Sequence, residues 1–383
     1  MGILNFFKKN RISALEETMV KRAIYRVISN RSYYLLSGQP ELKKLEGELS
    51  SFLGGARVLG VSSGTDALIF ALKVIGIGVD DEVIVPALGF ISTASSVVWV
   101  GAKPVFVDIR PHGYNIDPTK IEPAITERTK AIIVTHLFGQ PAALNEIIPT
   151  ARKHNIPIIE DAAQAFGSKI FINEEWKSAG TIANMGCFSF SSTKHFSVFG
   201  SGGAIATNEE KLFNKLFLMR DYGAERHYYE YPVAGVNGRL QEIHAATLRV
   251  KFMFLDFWLK HRSRIAELYS HELSGVGDIV LPEEDHNTVR VFYRYVLRTS
   301  KREQLFTYLC DKFSLPYLKP TKHYPVPLPF FDLFRSSNYK YGDFPISEQV
   351  SKETLALPLT NFVSEKDALQ VCHAIKDFFI KGS

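Results

Sequence analysis

The sequence predicts an α/β protein whose mainly parallel sheet is flanked by helices. Three observations predict it. Short strands alternate with helical stretches from residue 56 to residue 161. The strands are almost wholly apolar and rich in Val and Ile, as strands buried on both faces must be. Of the 383 residues, 46% are hydrophobic and 22% charged, enough apolar side chain to bury a large core.

Each element has its own reason. Residues 1–35 carry Lys8, Lys9, Arg11, Lys21, Arg22, Arg26 and Arg31. They read as a basic amphipathic helix packed on the body as a solvated arm, with contact to a membrane surface as the alternative. Leu42, Leu45, Leu49 and Phe52 recur at helical spacing and stop at Gly54-Gly55, so a helix ends there. Strands follow at 56–61, 82–86, 104–108, 131–136 and 157–161, with helices at 64–76, 91–101 and 141–155 between them. Further on, 186–192 and 204–207 read as strands and 208–223 as a helix. A loop with Tyr222, Tyr228, Tyr229 and Tyr231 precedes one long helical stretch from Gln241 into the 260s. The rest offers a strand at 293–297, helices at 301–313 and 364–380, and a Pro-rich loop at 316–329. The expected division is an arm and large domain over 1–255 and a small α+β domain over 256–383.

Charge and cysteine content exclude several classes. Lys and Arg total 45 against 40 Asp and Glu, a charge of +5 too dilute for a nucleic-acid binder. Cys187, Cys310 and Cys372 form neither a CxxC pair nor a disulfide framework, as expected in a reducing compartment. No His, Cys or Asp cluster has metal-ligand spacing. No apolar run approaches the roughly 18 residues of a membrane span. The N-terminus lacks a secretory h-region, and Phe6 stands where a myristoylation motif wants Ser or Thr. A cytoplasmic protein without membrane or nucleic-acid partners is expected.

Ligands of open α/β sheets bind at the carboxyl ends of the strands, and three segments fall there. SSGTD (62–66) joins a strand to a helix and can offer N–H groups to a phosphate. Asp161 ends an apolar strand, as a catalytic carboxylate or as a helix N-cap. Lys194 lies in a Ser/Gly-rich loop that runs to Gly200–Gly203, where a plain surface lysine is the structural alternative. No GxGxxG follows a strand, and no P-loop is present. GVSSG (60–64) matches a nucleophile elbow, so a hydrolase centred on Ser62 is the rival from another class, and a binding module without chemistry is a third reading.

Taken together, VSSGTDAL (61–68), DEVIVPALGFISTASSV (81–97), GAKPVFVDI (101–109), TKAIIVTHLFGQPA (129–142), IEDAAQAFGS (159–168), FSFSSTKHFSVFGSGGAIAT (188–207), GVNGRLQEIHAA (235–246) and FPISEQVSKETLALPL (344–359) resemble the DegT/DnrJ/EryC1/StrS family in order and spacing. These are sugar aminotransferases that use pyridoxal 5′-phosphate (PLP) on the aspartate-aminotransferase-like fold type I scaffold. The resemblance implies that Lys194 carries the cofactor as a Schiff base and moves a proton. It implies that Asp161 pairs with the pyridine nitrogen, which keeps the ring an electron sink. Gln164 matches the position near the ring's phenolic oxygen, Phe90 the stacking aromatic, and Gly64, Thr65 and Ser189 the phosphate positions. Asn237 would reach the phosphate of a neighbouring subunit, so the resemblance implies a homodimer with the site at the interface. His323, Tyr324 and Arg220 are the substrate-facing candidates, with Lys322 a further cation for a diphosphate.

Ser201 departs from the family's common acid and His244 from its common Gln, while the presence of Lys194 excludes the dehydratase branch. The implied reaction moves an amino group from glutamate to a keto-deoxy-sugar nucleotide, with a lean to 3-keto sugars from the Tyr-rich loop and NGRLQEIH. The product would feed a surface polysaccharide or a glycosylated metabolite. Amination of a cyclitol ketone is the alternative within the fold.

Overall fold

Apolar runs that must lose water on both faces become the strands of one large sheet. In chain order the elements begin α1 (Gly2–Ser29), α2 (Pro40–Phe52), β1 (Arg57–Val61), α3 (Gly64–Val74), β2 (Glu82–Pro86), α4 (Ile91–Trp99) and β3 (Lys103–Val107). They continue as β4 (Thr129–Thr135), α5 (Leu144–Lys153), β5 (Ile158–Asp161), β6 (Lys169–Ile172), β7 (Glu175–Ser178), β8 (Met185–Ser189), β9 (Gly203–Thr207), α6 (Glu210–Arg220) and α7 (Glu242–Phe252). The C-terminal part adds α8 (Leu255–Leu273), β10 (Thr288–Val289), β11 (Tyr295–Arg298), α9 (Arg302–Lys312), α10 (Pro345–Glu353), β12 (Thr354–Leu357) and α11 (Glu365–Lys381). The computed structural model describes residues 2–34, 39–225, 229–283 and 285–381, so Met1 and Tyr228 lie outside the described residues.

The seven-stranded sheet has the order β1-β9-β8-β5-β4-β2-β3. Only β9 runs against its neighbours. The other six strands therefore end on one edge, at Val61, Pro86, Val107, Thr135, Asp161 and Ser189. β9 starts there, with Gly203 paired to both Val61 and Ser189. A Cβ on Gly203 would sit 2.5 Å from the Ser63 carbonyl, so the glycine run lets β9 pass beneath the β1–α3 turn.

Several elements differ from the sequence expectation. The long helix expected from Gln241 is two helices that break at Met253–Phe254. The strand expected at 293–297 is β11 at 295–298, which leaves Tyr293 and Arg294 in the loop before it. The β6–β7 hairpin and its β10 partner, α10 and β12 were not anticipated. The basic N-terminal helix packs on the body: Val20, Ala23 and Val27 are buried against Ala246 and Val250 of α7.

The smaller α+β unit centres on the β11–β12 ribbon, covered by α8, α9 and α11, with Ile265, Tyr269, Leu297, Leu305, Leu355 and Val371 at its core. It is tied to the large sheet at the same edge. Buried Asp108, just past β3, accepts hydrogen bonds from the Ile346 and Ser347 N–H groups (3.1 and 2.9 Å) in the first turn of α10. Tyr114 donates to the Val296 carbonyl at 3.0 Å, and Phe334 and Phe344 return to pack on Phe106. No helix among the described residues is long and apolar enough to cross a membrane.

Candidate active site

The β1–α3 turn is set by serine chemistry. Ser63 caps α3 and accepts the Asp66 N–H at 3.0 Å, a contact worth about 1 kcal/mol. Ser62 donates to the Asp66 carboxylate at 2.6 Å, as Ser63 does at 2.7 Å. That bond answers the hydrolase reading. A serine nucleophile gives its proton to a histidine, whereas Ser62 gives its proton to a carboxylate four residues on in its own helix turn. At Gly64 a Cβ would lie 2.7 Å from that of Ser189, so only a glycine lets the start of α3 meet the end of β8. Thr65 shares a 2.8 Å hydrogen bond with Ser92. The N-terminus of α3 and the hydroxyls of Thr65 and Ser189 thus form one polar corner of the sheet edge.

Asp161 is buried at the end of β5. Its Oδ2 accepts from the Thr93 hydroxyl at 2.7 Å and its Oδ1 from the Ala163 N–H at 3.2 Å. No helix begins after it, which corrects the N-cap alternative: the carboxylate closes a turn. Thr93, in the first turn of α4, had no signal in the sequence that marked it. Gln164 is also buried; its Oε1 accepts the Phe138 N–H at 2.8 Å and its Nε2 donates to the Tyr324 hydroxyl at 3.0 Å. Tyr324 is half-buried and stacks on Phe138 at 6.0 Å. Its phenol is pushed up by burial and by the neighbouring Tyr293, with Asp161 adding to the effect and Gln164 opposing it. Phe90, exposed at the start of α4, lies 6.4 Å from the Tyr324 ring.

Lys194 is half-buried, its Nζ 4.7 Å from the centre of the Tyr293 ring. Burial alone would push the Tyr293 phenol up, but the charges of Lys194 and Arg294 and hydrogen bonds with Thr193 and Arg294 bring it below its ordinary value. Tyr293 is held from behind. Buried Arg262 of α8 donates to the carbonyls of Phe292 (2.8 Å), Tyr293 (2.8 Å) and Leu359 (2.9 Å). Burial and the charge of Arg294 pull the Arg262 pKa down to about 9. His195 accompanies Lys194 as a structural side chain: it hydrogen-bonds the Phe166 carbonyl at 2.8 Å, and burial, with Arg262, lowers its pKa to about 3. The imidazole is therefore neutral, with its Nε2–H the donor.

Other candidates fall outside this group. Arg220 is buried, ion-paired with Glu46 and bonded to the Gly60 carbonyl at 3.0 Å. Its cation is consumed inside the fold, which corrects the expectation that it meets a substrate. Lys322 pairs with Glu303 and lies 4.3 Å from the Phe306 ring. His323 is half-buried beside Tyr324, and burial followed by the charges of Arg294 and Lys194 holds its pKa down to about 4. Asn237 is exposed and bridges in backbone to Asp221, and Arg239 pairs with Asp221. His244, in place of the common Gln, hydrogen-bonds the backbone at Ser201 and Phe199, beneath the loop where Ser201 replaces an acid.

A parallel sheet with one reversed strand, a buried aspartate and a lysine at its carboxyl edge, and an anion corner beside them define a PLP-dependent transaminase of fold type I. The match to known proteins narrows this. The chain belongs to the DegT/DnrJ/EryC1/StrS aminotransferase family, whose model matches residues 20–376. It is 38% identical to a pleiotropic regulatory protein of Geobacillus stearothermophilus over 94% of this chain and 95% of that one. It is 35% identical to dTDP-3-amino-3,4,6-trideoxy-alpha-D-glucose transaminase of Streptomyces venezuelae, over 93% and 91%. The crystal structure of S. venezuelae DesV superimposes with a TM-score of 0.88 at 32% identity, over 97% of this chain and 96% of that one. The protein is a sugar aminotransferase, and its cofactor is PLP.

The residues fit that cofactor. Gly64 leaves the space a Cβ would fill beside Ser189, at a helix N-terminus suited to a phosphate. Asp161 keeps acceptor capacity beyond its two hydrogen bonds, as a partner for a protonated ring nitrogen requires.

Proposed function

We propose that this protein moves an amino group from glutamate to C3 of a 3-keto-deoxy-sugar nucleotide, in two half-reactions at one site. The similarity to a transaminase named for a 3-amino sugar supports the 3-keto reading. The observation that supports the site assignment is a buried, incompletely satisfied Asp161 at the carboxyl edge of the sheet, at the same edge as the loop after β8 that carries Lys194. When bound, PLP supplies an electron sink that stabilises a carbanion at the substrate carbon.

The chain supplies the rest. Asp161, oriented by Thr93, holds the proton on the ring nitrogen. The Lys194 amine would hold the cofactor and, once free, would move a proton at the substrate carbon. Gln164, fixed by Phe138 and Tyr324, stands by the phenolic oxygen, and Phe90 covers the ring face. Gly64, Thr65 and Ser189 take the phosphate, and Asn237 of a second copy completes it in a homodimer. His323 and Tyr324 face the sugar.

The test is the absorbance of the purified protein. A cofactor band that shifts on adding glutamate, and that borohydride fixes onto Lys194 as a peptide adduct, is the expected result. A protein that takes up no PLP, or one labelled at another lysine, overturns the reading. Light scattering at low protein concentration tests the dimer, and an Asn237→Ala variant that binds PLP as tightly as wild type removes Asn237 from the site.

A further inference from the structure

Two cations lean on one phenol. Arg294 Cζ lies 5.1 Å from the Tyr293 ring centre and Lys194 Nζ lies 4.7 Å from it. Arg294 also hydrogen-bonds with the Tyr293 side chain. Two other arginines of this region are spent, Arg298 clamped to Glu353 at 2.8 Å and Arg262 filled by backbone carbonyls, while Arg290 lies over the Phe292 ring at 4.7 Å. Arg294 has no carboxylate partner among the described residues, and its Nε is buried without a hydrogen-bond partner. Nδ1 of neighbouring His323 is likewise buried and unpaired.

A guanidinium left half-satisfied next to a lysine is costly, because burial penalises the charge and the like charge repels it. Its planar fork matches a carboxylate. His323, neutral because its pKa is held near 4, can share that anion without adding a third charge.

We propose that Arg294 is a carboxylate-docking residue of the amino-transfer site, taking a carboxylate of the substrate beside Lys194, with His323 as its neutral companion. The inference rests on the transaminase reading and names a subsite within it. Two substrates can bring that group: the amino-acid donor, and a sugar nucleotide that bears a uronic acid. Neither the Schiff-base lysine nor the phosphate corner reads it, so it sets which carboxylates dwell at the site rather than whether PLP binds.

The experiment uses the PLP-loaded protein with Arg294→Gln and Arg294→Lys. Calorimetric titration with succinate, a dicarboxylate that cannot transaminate, measures docking without turnover. Its Kd should rise about 30-fold in Arg294→Gln, the scale of one charge-assisted pair, with part recovered in Arg294→Lys. Single-turnover absorbance then separates the sources. A matching loss with glutamate, and none with a carboxyl-free dTDP-amino sugar, assigns the donor. A loss confined to a uronate-bearing nucleotide sugar, with glutamate and succinate unchanged, assigns the sugar. Unchanged binding and rates for the three carboxylate probes, succinate, glutamate and the uronate-bearing nucleotide sugar, in both variants overturn the inference while the transaminase reading stands. A wild-type cofactor band indifferent to every amino donor and to the amino sugar overturns both. If the Gln variant does not fold, the Lys variant decides alone: it keeps the charge but loses the fork, and wild-type affinity for every probe refutes the proposal.

Discussion

Glu160 and Asp161 are neighbours on β5, both buried carboxylates, and they live differently. Glu160 takes the N–H groups of Gly180 (2.6 Å), Ile182 and Ala183 (both 2.7 Å), and a hydrogen bond from His136 at 2.9 Å. His136 Nδ1 accepts the Ala142 N–H at 3.0 Å, so its ring proton sits on Nε2 and faces Glu160. Four donors match the roughly four acceptor sites of a carboxylate, and Glu160 ties the 180–183 turn to the sheet. Asp161, on the opposite face by strand alternation, accepts among the described residues only from Thr93 and Ala163. A saturated carboxylate is architecture; an unsaturated one at the carboxyl edge of the sheet is available for chemistry.

That contrast can be broken by experiment, starting with the largest effect. Lys194→Ala should lower kcat by at least about 10³-fold, since it removes the proton carrier, while urea unfolding stays close to wild type. A variant with one-tenth of normal turnover would take Lys194 out of the chemistry. Asp161→Asn should cost about 10²- to 10³-fold in kcat with PLP in excess, the scale of a lost buried ion pair, with little change in stability. Glu160→Gln should do the reverse. Its amide would face the donors that Glu160 now satisfies, so we expect about 3 kcal/mol of lost stability by urea titration and near-normal kcat in the folded fraction. If both variants fail in the same way, the two carboxylates are not distinct in role. Thr93→Val should lower kcat by about tenfold, one charge-assisted hydrogen bond, and leave the Kd of PLP within a few-fold.

The smallest effect is on pH stability. The His195 pKa is lowered to about 3 from an ordinary value of 6.5, so the unfolded chain binds the proton more readily than the folded one. Its contribution to stability is fully present above pH 6.5 and is lost as pH falls toward 3, at up to about 1.4 kcal/mol per pH unit. His195→Asn should flatten the urea-measured stability profile between pH 6.5 and 4 while changing little at pH 7.5. A profile as steep as wild type would show that His195 does not stay neutral in the fold.

Much of this was legible in the chain. Strands buried on both faces must be apolar, so β1 to β5 announce themselves by Val and Ile, and β8 and β9 by small and apolar residues that leave no charge in the run. Asp161 stands out as a carboxylate that ends such a run, whereas Lys194 sits in the Ser/Gly-rich loop after β8 and stands out through the family resemblance of its segment. The β6–β7 hairpin was hidden because KIFI and EWKS are short and half-exposed, with no continuous apolar signal. The break between α7 and α8 has neither glycine nor proline at Met253–Phe254 to mark it. Arg220 looked like a free cation because its partner, Glu46, is 174 residues away.

The sequence by itself determined which segments leave water, where the sheet edge gathers its polar residues, and which lysine and aspartate end there. Those follow from local periodicity and the cost of burying charge. Only the tertiary structure decided that β9 reverses between β1 and β8, that Thr93 reaches Asp161, and that Tyr293 and Arg294 stand beside Lys194. Hydrogen bonds and ion pairs act over about 3–4 Å of space whatever the separation along the chain, so a side chain's partner is set by packing.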